Sequence, residues 1–260
     1  MKRFFRTIFA KNASLSTDQL ILKKTVVAFF FFFVFAGIGF GGWKWLRNQP
    51  ADGSKTSAPV RKVLNTNEKI FNGLLSDKHL AKEYPVSEAA NPARVNGDLG
   101  LRTPLDSANY RMNVIKSNGD TLKLTLADIQ KLPKTEIVFN FKCIEGWSQI
   151  THWGGVKFSD FMKAYGLDKE SKLNYLGLAT PDKQYYVGID MPSAMHPQTL
   201  ICYELNGKLL PLNQGYPLRL IIPVKYGVKS LKRIGYMYFN DNRTPDYWAD
   251  KQGYDYFSGL

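Results

Sequence analysis

An uncharged run from Thr25 to Gly42, dominated by Phe and Val, divides this sequence into a short basic head and a long polar remainder. With Leu20-Ile21-Leu22 before it and Trp43-Lys44-Trp45-Leu46 after it, the run covers the ~30 Å hydrocarbon core of a bilayer at ~1.5 Å per residue. No amphipathic face can be drawn through it, which argues against the buried helix of a soluble core. Lysines bracket it, and Trp43 and Trp45 suit an interfacial belt. More basic residues precede the run than follow it, so the positive-inside rule places Met1 to Lys24 in the cytoplasm and the remainder on the other side. A cleaved signal peptide is the rival reading. It needs a small-x-small site, and Gly37-Ile38-Gly39 and Ala51-Asp52-Gly53 are poor candidates. The expected organisation is a basic cytoplasmic segment (1–24), a transmembrane anchor (25–46), a linker and spacer (47–90) and a folded domain (91–260).

The net charge of +13 invites a nucleic-acid reading. About half of the excess, however, flanks the apolar run, in Lys2, Arg3, Arg6, Lys11, Lys23, Lys24, Lys44 and Arg47, against Asp18 alone. A membrane surface is the better partner, and no nucleic acid is expected. The mildly basic remainder suits an anionic, phosphate-bearing ligand.

Asn48 to Pro59 is polar and reads as a linker, and Arg61 to Ala90 shows weak helical periodicity through Val63, Leu64, Ile70, Phe71, Leu74 and Leu75. From Tyr110 short strands dominate. Arg111–Lys116 and Thr121–Leu126 flank a Ser117-Asn118-Gly119-Asp120 turn. Thr125 is placed to cap a helix Leu126–Lys131, and Ser159 a helix Asp160–Tyr165. Thr135–Cys143, Lys172–Ala179, Gln184–Ile189, Thr199–Leu205, Leu218–Ile222 and Leu231–Phe239 read as strands. With no βαβ alternation, the class is α+β: mixed sheets with short helices.

Chemistry concentrates around the first of two cysteines, in Phe139-Asn140-Phe141-Lys142-Cys143-Ile144-Glu145-Gly146-Trp147-Ser148. An aromatic strand delivers one thiol to a tight turn. Such a thiol can be a soft metal ligand, a nucleophile or an inert hydrophobe. Cys202, in Thr199-Leu200-Ile201-Cys202-Tyr203, reads as a small buried hydrophobe, and a Cys143–Cys202 disulfide stays open. His152 and His196 do not complete a compact zinc motif with them. Glu145 is either a proton relay or a hydrogen-bonded turn residue, and Asp190 carries the same two readings. Trp147 and Trp153 either line a pocket or fill a core.

Further runs follow in order: His196 to Lys208, then Gln214-Gly215-Tyr216-Pro217-Leu218-Arg219-Leu220-Ile221-Ile222-Pro223, then Lys225-Tyr226-Gly227-Val228-Lys229-Ser230-Leu231-Lys232. Together with the Cys143 run they resemble the molybdopterin-binding domain of the sulfite oxidase family, on the branch of methionine-sulfoxide reductase catalytic subunits. The resemblance covers roughly Asn91 to Tyr238. It implies a sulfite oxidase-like fold and a molybdenum–molybdopterin cofactor with Cys143 as the single protein ligand. It also implies that Thr180, Gln214, Arg219, Ser230, Leu231 and Lys232 hold the pterin and its phosphate. Arg94-Val95-Asn96-Gly97 stands where that branch has an Asn-rich segment, which makes Asn96 a further contact.

Arg219 offers a planar fork and Lys232 a point charge to a phosphate, while Gly215 and Gly227 allow close backbone approach. Sulfite-oxidising members place arginines just after the ligand cysteine. Here Ile144-Glu145-Gly146-Trp147-Ser148 follows, and an acidic side chain would repel sulfite. A neutral S-oxide or N-oxide is the expected small-molecule substrate. No Cys-x-x-Cys-His run is present in this sequence, so electrons are expected to be exchanged with a membrane haem protein or quinone-linked partner. The alternative is a non-catalytic binding module that keeps the fold.

Overall fold

Alternating strands and turn residues after Tyr110 build two five-stranded sheets in the computed structural model, which describes residues 7–51, 56–74 and 78–260. Expectations that rest on residues 1–6, on 52–55 or on Leu75 lie outside the described residues.

The N-terminal unit is built on helix α1 (Thr17–Arg47). Ser16 caps it: its hydroxyl accepts from Gln19 N while the Gln19 side chain accepts from Ser16 N, satisfying two otherwise orphaned donors. None of its side chains is buried. It is long and apolar enough to cross a membrane, and the Arg47 guanidinium lies 4.9 Å from the Trp43 ring centroid near its end.

The second unit takes in Lys62 onward. Helix α2 (Ala58–Leu74) is held there through Glu68, which accepts from Tyr175 Oη at 3.1 Å and pairs with Arg243. Farther on, Tyr84 N donates to Val138 O at 2.9 Å, and Gln198 binds the backbone of Ala81 on both sides. Within the region read as linker and spacer, Glu68, Ala81 and Tyr84 therefore bond to the domain that follows.

The first sheet has the order β2 (Thr121–Leu124), β1 (Met112–Ile115), β10 (Tyr236–Asn240), β5 (Tyr175–Ala179), β6 (Tyr186–Asp190). Its β1–β10 pair is parallel and the others antiparallel, so the sheet is mixed. The second runs β3 (Thr135–Lys142), β4 (Ser148–Lys157), β7 (Leu200–Leu205), β8 (Lys208–Leu209), with β9 (Arg219–Ile221) also on β7. Short helices α3 (Leu126–Gln130), α4 (Phe158–Ala164), α5 (Met191–Ala194) and α6 (Tyr247–Gln252) complete the unit.

Two apolar clusters hold the sheets. The larger joins Met112, Leu178 and Met237 of the first sheet to Phe158 and Phe161 of α4 and to Leu220. The smaller gathers Ile137, Phe139, Trp153, Cys202 and Ile221 in the second sheet. Cys202 is fully buried and both cysteines are free thiols, which closes the disulfide alternative.

Thr125 caps α3 as expected, in a reciprocal box with Asp128. Helix α4 starts at Phe158 with Lys157 as its cap residue, so Ser159 lies inside it. The segment read as a strand Leu231–Phe239 divides. Only Tyr236–Asn240 is strand, because Ile234 N is taken by Leu218 O, Gly235 N by Ala179 O, and Arg233 has φ +55°.

Candidate active site

The antiparallel pair β3–β4 ends in a tight turn that presents Cys143. Cys143 N donates to Trp147 O at 2.8 Å, Gly146 N donates to Cys143 O at 3.1 Å, and Gly146 has φ +89°. That left-handed conformation favours glycine. The turn places the thiol in the lining of a cleft of about 990 Å³, its open mouth included.

Cys143 is 9% exposed. Burial pushes its thiol above the ordinary range, opposed in part by backbone N–H groups of the turn and by Arg94. A neutral thiol is thus favoured in the free protein, and a metal would have to displace its proton. Asn96 Nδ2 lies 3.9 Å from Cys143 Sγ and 3.3 Å from Glu145 Oε2, and Trp147 Nε1 donates to the same oxygen at 3.2 Å. Glu145 is therefore both a turn residue and a carboxylate fixed beside the thiol.

The cleft floor is cationic. Arg219, on β9, donates from Nη1 to Gln214 O at 3.0 Å and to Gln214 Oε1 at 2.9 Å, and its guanidinium lies 4.5 Å from the Trp153 ring centroid. Burial lowers its pKa to about 10. Lys232 is pulled down to about 7, chiefly by burial and then by the Arg219 charge. Its ammonium donates to the carbonyls of Asn96 at 2.7 Å, Gly97 at 2.9 Å and Asn213 at 3.1 Å. Two donors are left over: Arg219 Nε and Ser230 Oγ are buried without a hydrogen-bond partner. Buried donors of this kind cost stability unless a ligand satisfies them. An anionic group with several acceptor oxygens would satisfy them, so the lining suits a phosphate-bearing pterin whose metal the Cys143 thiol would hold.

Of the residues singled out from sequence, Asn96, Cys143, Glu145, Gln214, Arg219, Ser230 and Lys232 line this one cleft, together with Trp147, Trp153 and Gly227. Thr180 and Leu231 do not. Thr180 is fully buried below Gly100, its hydroxyl donating to Asp182 Oδ1 at 2.6 Å. Leu231 is a core side chain whose carbonyl accepts from Leu220 N. The space beside Gly215 is filled by the Lys232 and Arg233 backbone, so that glycine serves chain packing. Asp190 caps α5 and pairs with Lys225 at 2.6 Å. His152 pairs with Glu136 and His196 accepts from Gln198 N. Among the described residues no cluster of three His, Cys, Asp or Glu side chains is placed to hold a metal.

Sequence reasoning missed an aromatic part of the cleft lining, formed by Tyr185, Trp248 and Tyr254. Trp248 Nε1 donates to Tyr185 Oη at 3.1 Å, and the Trp248 and Tyr254 rings stack. The only signal available was the aromatic density of Tyr247-Trp248 and Tyr254 beyond the last strand.

Comparison with known proteins gives the family. The family described as oxidoreductase molybdopterin binding domain matches residues 100–248. An Azospira oryzae protein named as a protein-methionine-sulfoxide reductase subunit, YedZ1, is 35% identical over 196 residues, covering 74% of this chain and 73% of the relative. The protein-methionine-sulfoxide reductase catalytic subunit MsrP of Xanthomonas axonopodis pv. citri is 32% identical over 164 residues, covering 56% of this chain. This chain spans about half (51%) of that relative's length. Among solved structures, the sulfane dehydrogenase SoxCD of Paracoccus pantotrophus overlaps 55% of this chain and 41% of its own, at 18% identity and a TM-score of 0.48. Arg94 and Asn96 precede the family match and Tyr254 follows it, so the cleft extends beyond the family's matched core.

Proposed function

The chain belongs to the oxidoreductase molybdopterin-binding domain family and is a molybdenum-dependent oxidoreductase, and from that premise we propose that it is a membrane-anchored reductase of a small S-oxide or N-oxide. The observation that carries this reading is the pairing, in one cleft, of a buried thiol with a cationic floor whose Arg219 Nε and Ser230 Oγ lack partners. In this reading Cys143 ligates the metal, and Asn96, Gln214, Arg219, Ser230 and Lys232 hold the pterin and its phosphate.

When bound, the molybdenum centre supplies two-electron chemistry coupled to oxygen transfer. This chain's residues supply the rest. Reducing an S-oxide consumes two electrons and two protons and releases water. Glu145, fixed by Asn96 and Trp147, is placed to hand on protons. The Tyr185, Trp248 and Tyr254 wall gives an apolar, aromatic surface to a neutral substrate. A negative side chain beside the thiol disfavours sulfite. The relatives named as protein-methionine-sulfoxide reductases support an S-oxide.

The anchor is the 25–46 part of α1, with residues 1–24 in the cytoplasm and the catalytic unit outside the inner membrane, in the periplasm. The charge asymmetry around the apolar run supports that orientation. Electrons are exchanged with a membrane haem protein or quinone-linked partner.

The test is metal analysis of the detergent-purified chain, followed by turnover with a reduced viologen dye and methionine sulfoxide. Stoichiometric molybdenum with sulfoxide-dependent dye oxidation is expected. Molybdenum without turnover would favour the binding-module reading, and absence of molybdenum from chain produced in a host that makes the cofactor would overturn the reductase reading.

A further inference from the structure

Helix α2 has two unlike faces. On one, Glu68 is 3% exposed and is held by Tyr175 and Arg243, with Leu64 and Asn65 half-buried beside it. At about 100° per residue, Val63, Ile70 and Leu74 fall close together on the opposite side, with Val60 near them. Among the described residues nothing covers them: Val63 is 59% exposed, Ile70 53% and Leu74 64%. Lys62 and Lys69 are exposed together along one side of the stripe, the exposed Asn67 falls within it, and the helix's one acid, Glu68, faces inward.

We propose that α2 is an interfacial helix whose Val60–Val63–Ile70–Leu74 stripe lies in the headgroup boundary of an anionic bilayer, with Lys62 and Lys69 meeting the headgroups. The proposal rests on the anchoring reading of α1. Three observations carry it. The helix is strongly two-sided yet not very apolar as a whole, the pattern of helices that lie on membranes rather than span them. Its exposed charges are all positive, complementary to anionic lipid. Only ten residues, 48–57, separate α1 from α2 in sequence, a length that spans at most about 35 Å.

A second copy of the chain is the rival occupant, because positions 60, 63, 67, 70 and 74 keep heptad spacing. The flanking Leu64, Thr66 and Gly73 offer no opposite charges to set a pairing, however, and a helix of this length gives barely two heptads. With its inner face on the domain and its outer face on lipid, α2 would tie the catalytic unit to the membrane surface.

The experiment uses the full chain in nanodiscs containing phosphatidylglycerol, labelled with an environment-sensitive fluorophore at Val63→Cys or Ile70→Cys, both exposed sites. Lys208→Cys on the exposed β8 is the control, and the unsubstituted chain gives the background from Cys143 and Cys202. Blue-shifted emission at 63 and 70, quenched by nitroxide-bearing lipid and weaker in discs without anionic lipid, is expected, with the 208 label unchanged. Solvent-like emission at 63 and 70 in a chain that resists carbonate extraction overturns the interfacial helix alone. A blue shift that lipid nitroxide does not quench and that disappears at one chain per disc assigns the face to a second copy instead. Release of the chain by carbonate overturns the anchoring reading, and this proposal falls with it.

Discussion

Arg219 and Lys232 place two cations in one cleft, and the physical cost of doing so shows in both. Burial lowers Arg219 to about 10 and Lys232 to about 7. Without a ligand, Lys232 loses its proton as pH rises through about 7, whereas the unfolded chain holds it until near its ordinary 10.5. Between those values the unfolded state binds more protons, so the cofactor-free protein gains stability as pH rises across that window. An anionic cofactor favours the ammonium, so binding it takes up a proton above pH 7. Cofactor affinity is therefore expected to fall as pH rises from 7 to 9. In Lys232→Met that slope should flatten, which a cofactor-release assay at several pH values would measure. Arg219→Gln removes a charge-assisted hydrogen bond of about 1.5–3 kcal/mol, or roughly ten- to 150-fold in retention. Unchanged cofactor content in the purified variant would remove Arg219 from the site.

At the level of elements, β4 is what a reader of the sequence loses. Its ten residues include Gly154-Gly155 and polar residues that do not alternate. The structure needs those glycines. The β4–β7 register shifts between Gly154 and Gly155, and a Cβ on Gly155 would lie 2.2 Å from Ile201 O and 2.6 Å from Cys202 Cα. Gly155→Ala is expected to destabilise the domain by about 1–3 kcal/mol through overpacking, seen as a lowered unfolding midpoint. Cys202→Ser puts an unpartnered hydroxyl into the same buried cluster and should cost about 1–3 kcal/mol while cofactor content stays at the wild-type level. What was legible carried a local signal. The Thr125 cap, the Asn118-Gly119 turn and the aromatic strand ahead of Cys143 are each set by neighbours in sequence. The division of 231–239 was not, because Leu218 and Ala179, distant in sequence, take its amides.

On the scale of the whole molecule, the cleft draws on segments from Ala93 to Tyr254. Motif order therefore located most of its residues, while only tertiary contact could separate the lining Ser230 from the core Leu231. The long N-terminal helix adds a topological claim. Protease added to spheroplasts should degrade the catalytic unit, and full protection until lysis would reverse the orientation. The claim on which the rest depends is that Cys143 is the protein's sulfur ligand to molybdenum in this cleft. X-ray absorption at the molybdenum edge of the purified chain tests it most directly. The account predicts that the sulfur shell of the metal loses one scatterer in Cys143→Ser and is unchanged in Cys202→Ser. A sulfur shell identical in the wild type and in Cys143→Ser would contradict it.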